Sequence, residues 1–347
     1  MENQNLLNKK KTFDIFDGAL ACLVFVILEF VFSLAISYIP RSGAINTVLT
    51  VILELLFVAA SFSVVLFRNK DIYKSTTLNK KFNWKIVLFA LAIAGISIVA
   101  FSRLTSGFIM LMEKFGYKGV LGDTNVSNFG LYVLSIITVC IVPAFCEELL
   151  FRGVVLNSFR GLNKWIGIIV SGFLFMLMHG NPDQTVHQLL LGIILGYIAW
   201  ETKNIWVTML IHFFNNFIAI TITFITQVSG NTVSSETGEI TSSAIAVTLI
   251  TGILFAVAGV VAIIYITKYI KKQSEKVNQN KVQVTVNSDN LSETIEAEIS
   301  NAEQPVDELS QEKPNRYKVL ATVATYGIFV IYFAYQWIKW LIVGFGG

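Results

Sequence analysis

The sequence predicts an all-α fold, a polytopic helical bundle embedded in a membrane. Of the 347 residues, 54% are hydrophobic and only 14% are charged, which is typical of a membrane protein rather than a soluble domain. The apolar residues are gathered into long runs, most of which reach the length of a spanning helix. The formal net charge of +3 is too small to indicate a nucleic-acid partner.

The first three apolar runs predict three spanning helices. They cover residues 16–39, 45–67 and about 84–104. The first is too long for a signal-peptide core, and no small-residue cleavage site follows it, so we expect it to be retained. Glu29 and Glu54 lie near the middles of the first two runs, and Arg103 lies in the third. Such residues are costly in lipid, so we expect them to face the bundle interior, where a carboxylate and the arginine can neutralise each other.

Six further apolar runs follow the first three. They cover residues 129–160, 165–179, 187–200, 205–228, 244–270 and 319–343. Residues 271–316, between the last two runs, are rich in Lys, Gln, Asn, Ser and Glu and contain neither Phe nor Tyr, a composition that favours disorder. We therefore predict a transmembrane helical domain over residues 1–270, a disordered cytoplasmic linker over 271–316, and a C-terminal transmembrane helix over 317–347.

Positive residues predict how the chain is oriented in the membrane. Lys and Arg are concentrated at the amino terminus and in alternate loops, whereas the loop at 229–243 holds Glu236 and Glu239 and no Lys or Arg. Loops rich in Lys and Arg favour the cytoplasmic side. We therefore predict a multi-pass integral membrane protein with a cytoplasmic amino terminus and an external carboxyl terminus.

The fourth apolar run contains two adjacent carboxylates and an arginine. Glu148 and Arg152 are four residues apart, so on a helix they can form an ion pair. Glu147 lies about 100° around the helix from Glu148 and is left without that partner. An unpaired carboxylate in apolar surroundings is suited to act as a general base or acid. The alternative is a purely structural role, a buried ion pair with a polar glutamate facing a neighbouring helix.

Further polar side chains occur in the fifth and seventh runs. Phe175 and His179 share one helix face, as do His212 and Asn216, because each pair is four residues apart. At about 1.5 Å per residue, Glu147 and His179 both lie roughly 20 Å from the turn between their helices. The side chains of Glu147, His179, His212 and Asn216 could therefore line one intramembrane cavity. All three histidines of the chain, including His187, fall in or beside these spans.

Three spaced motifs resemble those of a known family. Glu147-Glu148-x-x-x-Arg152, Phe175-x-x-x-His179 and His212-x-x-x-Asn216 are similar to the signature of the CPBP family, the CAAX proteases and bacteriocin-processing enzymes. This family includes the type II CAAX prenyl endopeptidases. The resemblance covers about residues 129–225 and implies an eight-helix core, to which the last apolar run would add a ninth helix.

The resemblance implies an intramembrane endopeptidase and a role for each matching residue. Glu147 would activate water as the general base with help from His179, and His212 and Asn216 would stabilise the oxyanion. Glu148 and Arg152 would support the geometry. Family members have often been called metalloproteases, and a zinc ion, if present, would be held by Glu147, His179 and His212. The sequence has no HExxH and asparagine is a poor zinc ligand, so we do not expect an obligatory metal.

The substrate expected from this resemblance is a peptide or a membrane-associated precursor in a bacterial cell membrane. The predicted linker could recruit a further partner. Two other readings stay open on the sequence alone. One is a non-catalytic scaffold or bacteriocin self-immunity protein that binds a peptide or membrane partner. The other is a transporter that uses Glu29, Glu54 and Glu147 as a proton relay, which the lack of an inverted repeat disfavours.

Overall fold

The computed structural model describes residues 13–40, 42–78, 84–119, 124–230, 241–288 and 316–346, and these form a polytopic helical bundle. The predicted fold class is therefore confirmed. The helices are α1 (Ile15–Ile36), α2 (Gly43–Arg68), α3 (Trp84–Lys114), α4 (Phe129–Ser158), α5 (Lys164–Met178), α6 (Thr185–Thr202), α7 (Ile205–Val228), α8 (Ser242–Ser288) and α9 (Arg316–Gly346). Seven of these helices are long and apolar enough to cross a membrane, and α5 is a shorter apolar helix. The chain is thus a multi-pass integral membrane protein.

The start of α1 is fixed by a capping box and a buried charge cluster. Asp14 caps α1 and exchanges hydrogen bonds with Asp17, the pattern that satisfies free backbone N–H groups at a helix start. The buried carboxylate of Asp17 lies 2.9 Å from Nε of Arg68, the last residue of α2. It also lies 2.6 Å from Nζ of Lys70, two residues further on. The start of α1 and the end of α2 therefore lie on the same side of the bundle, and the two helices are antiparallel.

Helix α4 is interrupted by two π-helical segments that bracket the glutamate pair. Residues Ile136–Ile141 and Leu149–Val155 have π-helical hydrogen bonding, and an α-helical segment, Val142–Glu148, lies between them. The widened turns of π-helical segments free backbone groups and are frequent at functional sites. The α4 face that carries Glu147 and Glu148 is thus not the face that a regular helix would present.

Helices α5 and α6 form a tight hairpin. A Cβ atom added to Gly172 would lie 2.8 Å from the backbone nitrogen of Ile193, and one added to Gly192 would lie 2.8 Å from Gly172 O. Only glycine allows the two backbones to approach so closely. The hairpin turn includes Gly180, whose φ of 58° lies in the left-handed region that glycine adopts without strain.

One expectation about the early helices is wrong, and the linker of residues 271–316 stays a prediction. Arg103 does not neutralise a carboxylate in the interior: it is exposed, and its Nε donates a hydrogen bond of 3.3 Å to Thr251 Oγ1 on α8. Arg103 faces α8 because α3 and α8 pack along much of their lengths. Helix α8 continues to Ser288, so the first part of the segment predicted as a disordered linker is helical, and residues 289–315 lie outside the described residues.

The last helix packs into the bundle. Helix α9 lies against α1, and its Phe329 and Phe333 side chains are buried in the same core cluster as Phe25, Phe57 and Phe151. Lys318 near the start of α9 lies 3.1 Å from Asp14. Helix α9 therefore forms part of the packed core, together with the eight helices that the family resemblance implies.

Candidate active site

Glu148 joins three helices. Its carboxylate is fully buried, and Oε1 accepts a hydrogen bond of 2.7 Å from Arg152 Nη1 and one of 3.2 Å from His212 Nδ1 on α7. The Nη2 group of Arg152 donates a 3.0 Å bond to Gly192 O on α6. The predicted ion pair between Glu148 and Arg152 is present, and it ties α4 to both α6 and α7.

The ring of Phe175 brings the three motifs together. The guanidinium carbon of Arg152 lies 4.3 Å from the centre of this ring, a cation–π arrangement. The rings of His179 and His212 lie 4.9 Å and 5.7 Å from the same ring centre, edge to face. The two histidines thus both lie against one buried aromatic side chain, next to the ion pair of α4.

Glu147 differs sharply from its neighbour in the chain. Its side chain is only 5% exposed and makes no hydrogen bond or ion pair with the described residues, whereas Glu148 lacks a partner only at Oε2. A buried carboxylate without a partner is costly, so such a side chain calls for an explanation. Among the described residues, the Glu147 carboxylate is therefore not engaged by a hydrogen-bond donor or a cation.

A second carboxylate, Glu54 of α2, lies near Glu147. Helices α2 and α4 run in the same direction, because Ser158 at the end of α4 lies beside Gly18 near the start of α1, where α2 also ends. The ring centres of Phe57 and Phe151 are 6.2 Å apart and set the register between the two helices.

That register places the two carboxylates at one level. Glu54 is three residues before Phe57 and Glu147 is four before Phe151, so each is one helical turn from the contact. The two side chains interact electrostatically. Glu54 is 9% exposed and also has a buried oxygen, Oε2, without a partner among the described residues. The sequence suggested an interior structural role for Glu54, or a place in a transporter's proton relay, and did not place it beside Glu147 in a protease site, although an isolated carboxylate in an apolar run was the available signal.

His179 follows the last residue of α5 and is held by a local hydrogen bond. Its Nδ1 lies 2.9 Å from Phe175 O. A carbonyl oxygen only accepts hydrogen bonds, so Nδ1 carries the hydrogen and Nε2 of the neutral ring is an acceptor. His212 is fixed in the same way by Glu148, whose carboxylate also accepts.

The two adjacent asparagines of α7 have different partners. Asn216 Nδ2 donates a 2.9 Å bond to Val139 O in the first π-helical segment of α4. Asn215, which is about 100° around the helix from Asn216, is more deeply buried, and its Nδ2 lies 3.4 Å from His187 Nε2. Asn215 and His187 are therefore neighbours of the site that the four-residue spacing did not reveal.

A metal centre at this site would need several ligand side chains close together. Across the described parts of the chain, no three His, Cys, Asp or Glu side chains are grouped so that they could hold a metal ion. The Nδ1 atoms of His179 and His212 are bonded to Phe175 O and Glu148, which leaves Nε2 of each ring as its possible metal ligand. It is the spacing of Glu147, His179 and His212, and not the engaged Nδ1 atoms, that leaves them ungrouped in this geometry.

Comparison with known proteins identifies the part of the chain that contains these residues. Residues 129–218 match the family model described as Type II CAAX prenyl endopeptidase Rce1-like, which is consistent with the resemblance to CAAX proteases. Comparison with curated proteins gives no match, and neither does comparison with solved structures. The matched segment contains Glu147, His179, His212 and Asn216, whereas Glu54 lies outside it. Residues 129–218 of this multi-pass membrane protein are therefore similar to the Rce1-like type II CAAX prenyl endopeptidases.

Proposed function

We propose that the protein is an intramembrane endopeptidase in which Glu147 activates water. The observation that carries this proposal is the contrast between two neighbouring carboxylates. Glu148 is held through Oε1 by Arg152 and His212, whereas buried Glu147 makes no hydrogen bond or ion pair with the described residues. The family match supports protease activity in general. A purely structural pair of glutamates would not explain why one of them is left without any such partner.

The proposed reaction begins with proton transfer from water to the Glu147 carboxylate. The resulting hydroxide attacks the carbonyl carbon of the peptide bond and forms a tetrahedral oxyanion. The carbon–nitrogen bond then breaks, and the proton held by Glu147 goes to the leaving amine. His179 can assist because its Nδ1 is engaged with Phe175 O, which leaves Nε2 of the neutral ring to accept a hydrogen bond from the water.

The proposed oxyanion donors are His212 and Asn216. The Asn216 amide uses one of its two hydrogens on Val139 O, so the second is available for the oxyanion. For His212 the geometry sets a condition. Its Nδ1 donates to Glu148, so Nε2 can donate only when the ring is doubly protonated. Buried donors of this kind act strongly because little water competes with them.

The proposed substrate is a peptide or a membrane-associated precursor protein in a bacterial cell membrane. The site residues lie on helices that are embedded in the bundle, and the surrounding surface is apolar. A substrate must therefore reach the site through the membrane or from its edge. The proposal includes no metal, because the described residues offer no grouped ligand set and Asn216 is a poor zinc ligand.

A comparison of cleavage products tests the proposed activity. Membranes from cells that express the wild-type protein or Glu147→Gln at equal abundance are compared by sequencing protein amino termini. We expect a small set of new amino termini that occurs only with the wild-type protein. Identical sets would contradict the proposal and favour a non-catalytic scaffold or immunity protein. Chelation of purified wild-type protein should leave cleavage unchanged, whereas loss that zinc restores would assign a metal to the site.

A further inference from the structure

The turn between α5 and α6 is contacted by the last helix of the chain. We call residues 179–185 the His179 turn. Trp337 Nε1 on α9 donates a 2.8 Å hydrogen bond to Thr185 Oγ1, and the Thr185 hydroxyl in turn lies 3.4 Å from Asn181 O. A Cβ atom on Gly180 would lie 3.5 Å from the Cβ atom of Gln336. Helix α9 thus lies against both ends of the turn.

A second support for the turn comes from the segment that follows α3. Asp183 in the turn interacts with the Tyr117 side chain, and burial, followed by the nearby Asp183 carboxylate, raises the pKa of Tyr117. The ring of Tyr117 lies 5.5 Å from that of Phe345, and Lys118 N donates a 2.9 Å bond to Gly344 O. The end of α9 therefore also contacts Tyr117 and Lys118, and Tyr117 in turn contacts the His179 turn through Asp183.

Helix α9 is held in place by contacts far from the turn. Phe329 is fully buried and Phe333 is 4% exposed, and the ring of Phe333 stacks on that of Phe25 at 6.1 Å. Lys318 pairs with Asp14 at the opposite end of the helix. These contacts fix α9 against α1 without involving the turn, so α9 can serve as a rigid support for it.

From these contacts we infer that α9 positions His179 for the proposed reaction and that Trp337 is a positioning residue. His179 is the first residue of the turn, so the path of the turn sets the level of its ring. A catalytic group displaced by about 1 Å can lose on the order of 10²-fold in rate. The inference rests on the proposed function, because it concerns the rate of the proposed cleavage. It assigns a role in that reaction to a helix outside the matched residues 129–218.

Trp337→Phe tests the inference because it keeps an aromatic ring and removes only the indole N–H. The assay uses a synthetic membrane-spanning peptide that carries the most abundant cleavage site from the amino-terminus comparison, reconstituted with purified full-length protein. We expect kcat to fall about 10-fold or more with KM nearly unchanged. Thr185→Val should have a similar effect, and the double variant should lose little more, because both changes remove one bond. Thr185→Ser keeps the hydroxyl that accepts this bond, so its kcat should stay close to the wild-type value.

A matched control and a second readout separate positioning from general destabilisation. Trp340 is exposed on the same helix, so Trp340→Phe should behave as wild type in every measurement. Hydrogen–deuterium exchange of residues 179–185 should become faster in Trp337→Phe and not in Trp340→Phe. Exchange and kcat both at wild-type values in Trp337→Phe would overturn the inference, even if Glu147→Gln abolishes cleavage. Full cleavage by Glu147→Gln would instead remove the proposed function, while faster exchange would still establish the contact between α9 and the turn.

Discussion

His212 is bonded to Glu148 and not to Glu147: its Nδ1 atom lies 3.2 Å from Glu148 Oε1. The same carboxylate oxygen accepts a bond from Arg152. The motif histidine of α7 is therefore fixed by the structural glutamate of the pair. In the proposed mechanism Glu147 is the carboxylate that acts on a water molecule, so substitutions of the two neighbours should have different effects.

Glu148→Gln should act mainly on stability. The substitution removes the only anion that forms an ion pair with the buried Arg152 guanidinium among the described residues. Breaking a buried ion pair on one side leaves an uncompensated charge and costs about 3–5 kcal/mol. We expect a clearly lower unfolding temperature in detergent. Glu201→Gln is the control, since Glu201 pairs with Lys164 and Lys271 nearer the surface and exposed pairs contribute about 1 kcal/mol or less. Equal stability of the two variants would contradict this role of Glu148.

Asn216→Ala should act mainly on turnover. Loss of one oxyanion donor typically lowers kcat by about 10²-fold or more, and KM should change little because the contact forms chiefly in the transition state. Asn215→Ala is the neighbouring control, because Asn215 contacts His187 instead. Steady-state cleavage of the membrane-spanning peptide measures both variants. If Asn215→Ala lost more kcat than Asn216→Ala, Asn216 would not be the oxyanion donor and the proposal would be wrong on this point.

Acidification should weaken the attachment of α9 to the start of α1. Burial alone would raise the pKa of the Asp14 carboxyl, but the hydrogen bond from Lys318 and the charges of Lys70 and Lys318 lower it overall. A carboxyl whose pKa is lower in the folded state stabilises the protein above its unfolded pKa, and this stabilisation is lost as the pH falls through the folded value.

The Asp14→Asn variant isolates this contribution, because asparagine remains a good helix cap and removes the charge. We expect the unfolding temperature of the wild-type protein to fall more steeply than that of Asp14→Asn as the pH is lowered from about 5 to about 2. The difference should correspond to about 1 kcal/mol or less, since the pair is partly exposed. Parallel pH curves for the two proteins would show that Asp14 does not contribute in this way.

The predicted orientation can be measured with single cysteines. The three native cysteines are buried and can be replaced first. Thr241 precedes α8 and is exposed, and Leu162 is exposed between α4 and α5, on the opposite side of the bundle. A membrane-impermeant maleimide should label Thr241→Cys in intact cells and should label Leu162→Cys only after lysis. The opposite pattern would reverse the topology.

The sequence predicted the helices better than the contacts between them. Hydrophobic run length identified every spanning segment, and four-residue spacing placed Glu148 with Arg152 because that pair lies within one helix. The same reasoning missed Glu54 and Asn215, because helix rotation is set by packing against other helices and by the π-helical segments of α4. It also missed the place of α9 in the core, since no local signal in residues 316–346 specifies Phe25 or Thr185 as partners.

The measurement that tests the central claim most directly is cleavage and binding of the peptide by Glu147→Gln. Glutamine keeps the size and hydrogen-bonding capacity of glutamate and removes only the base. We expect cleavage to fall to the background rate, with unfolding temperature and peptide affinity within about twofold of wild type. Wild-type cleavage by this variant, at normal abundance and stability, would show that Glu147 does not activate water and that the proposed mechanism is wrong.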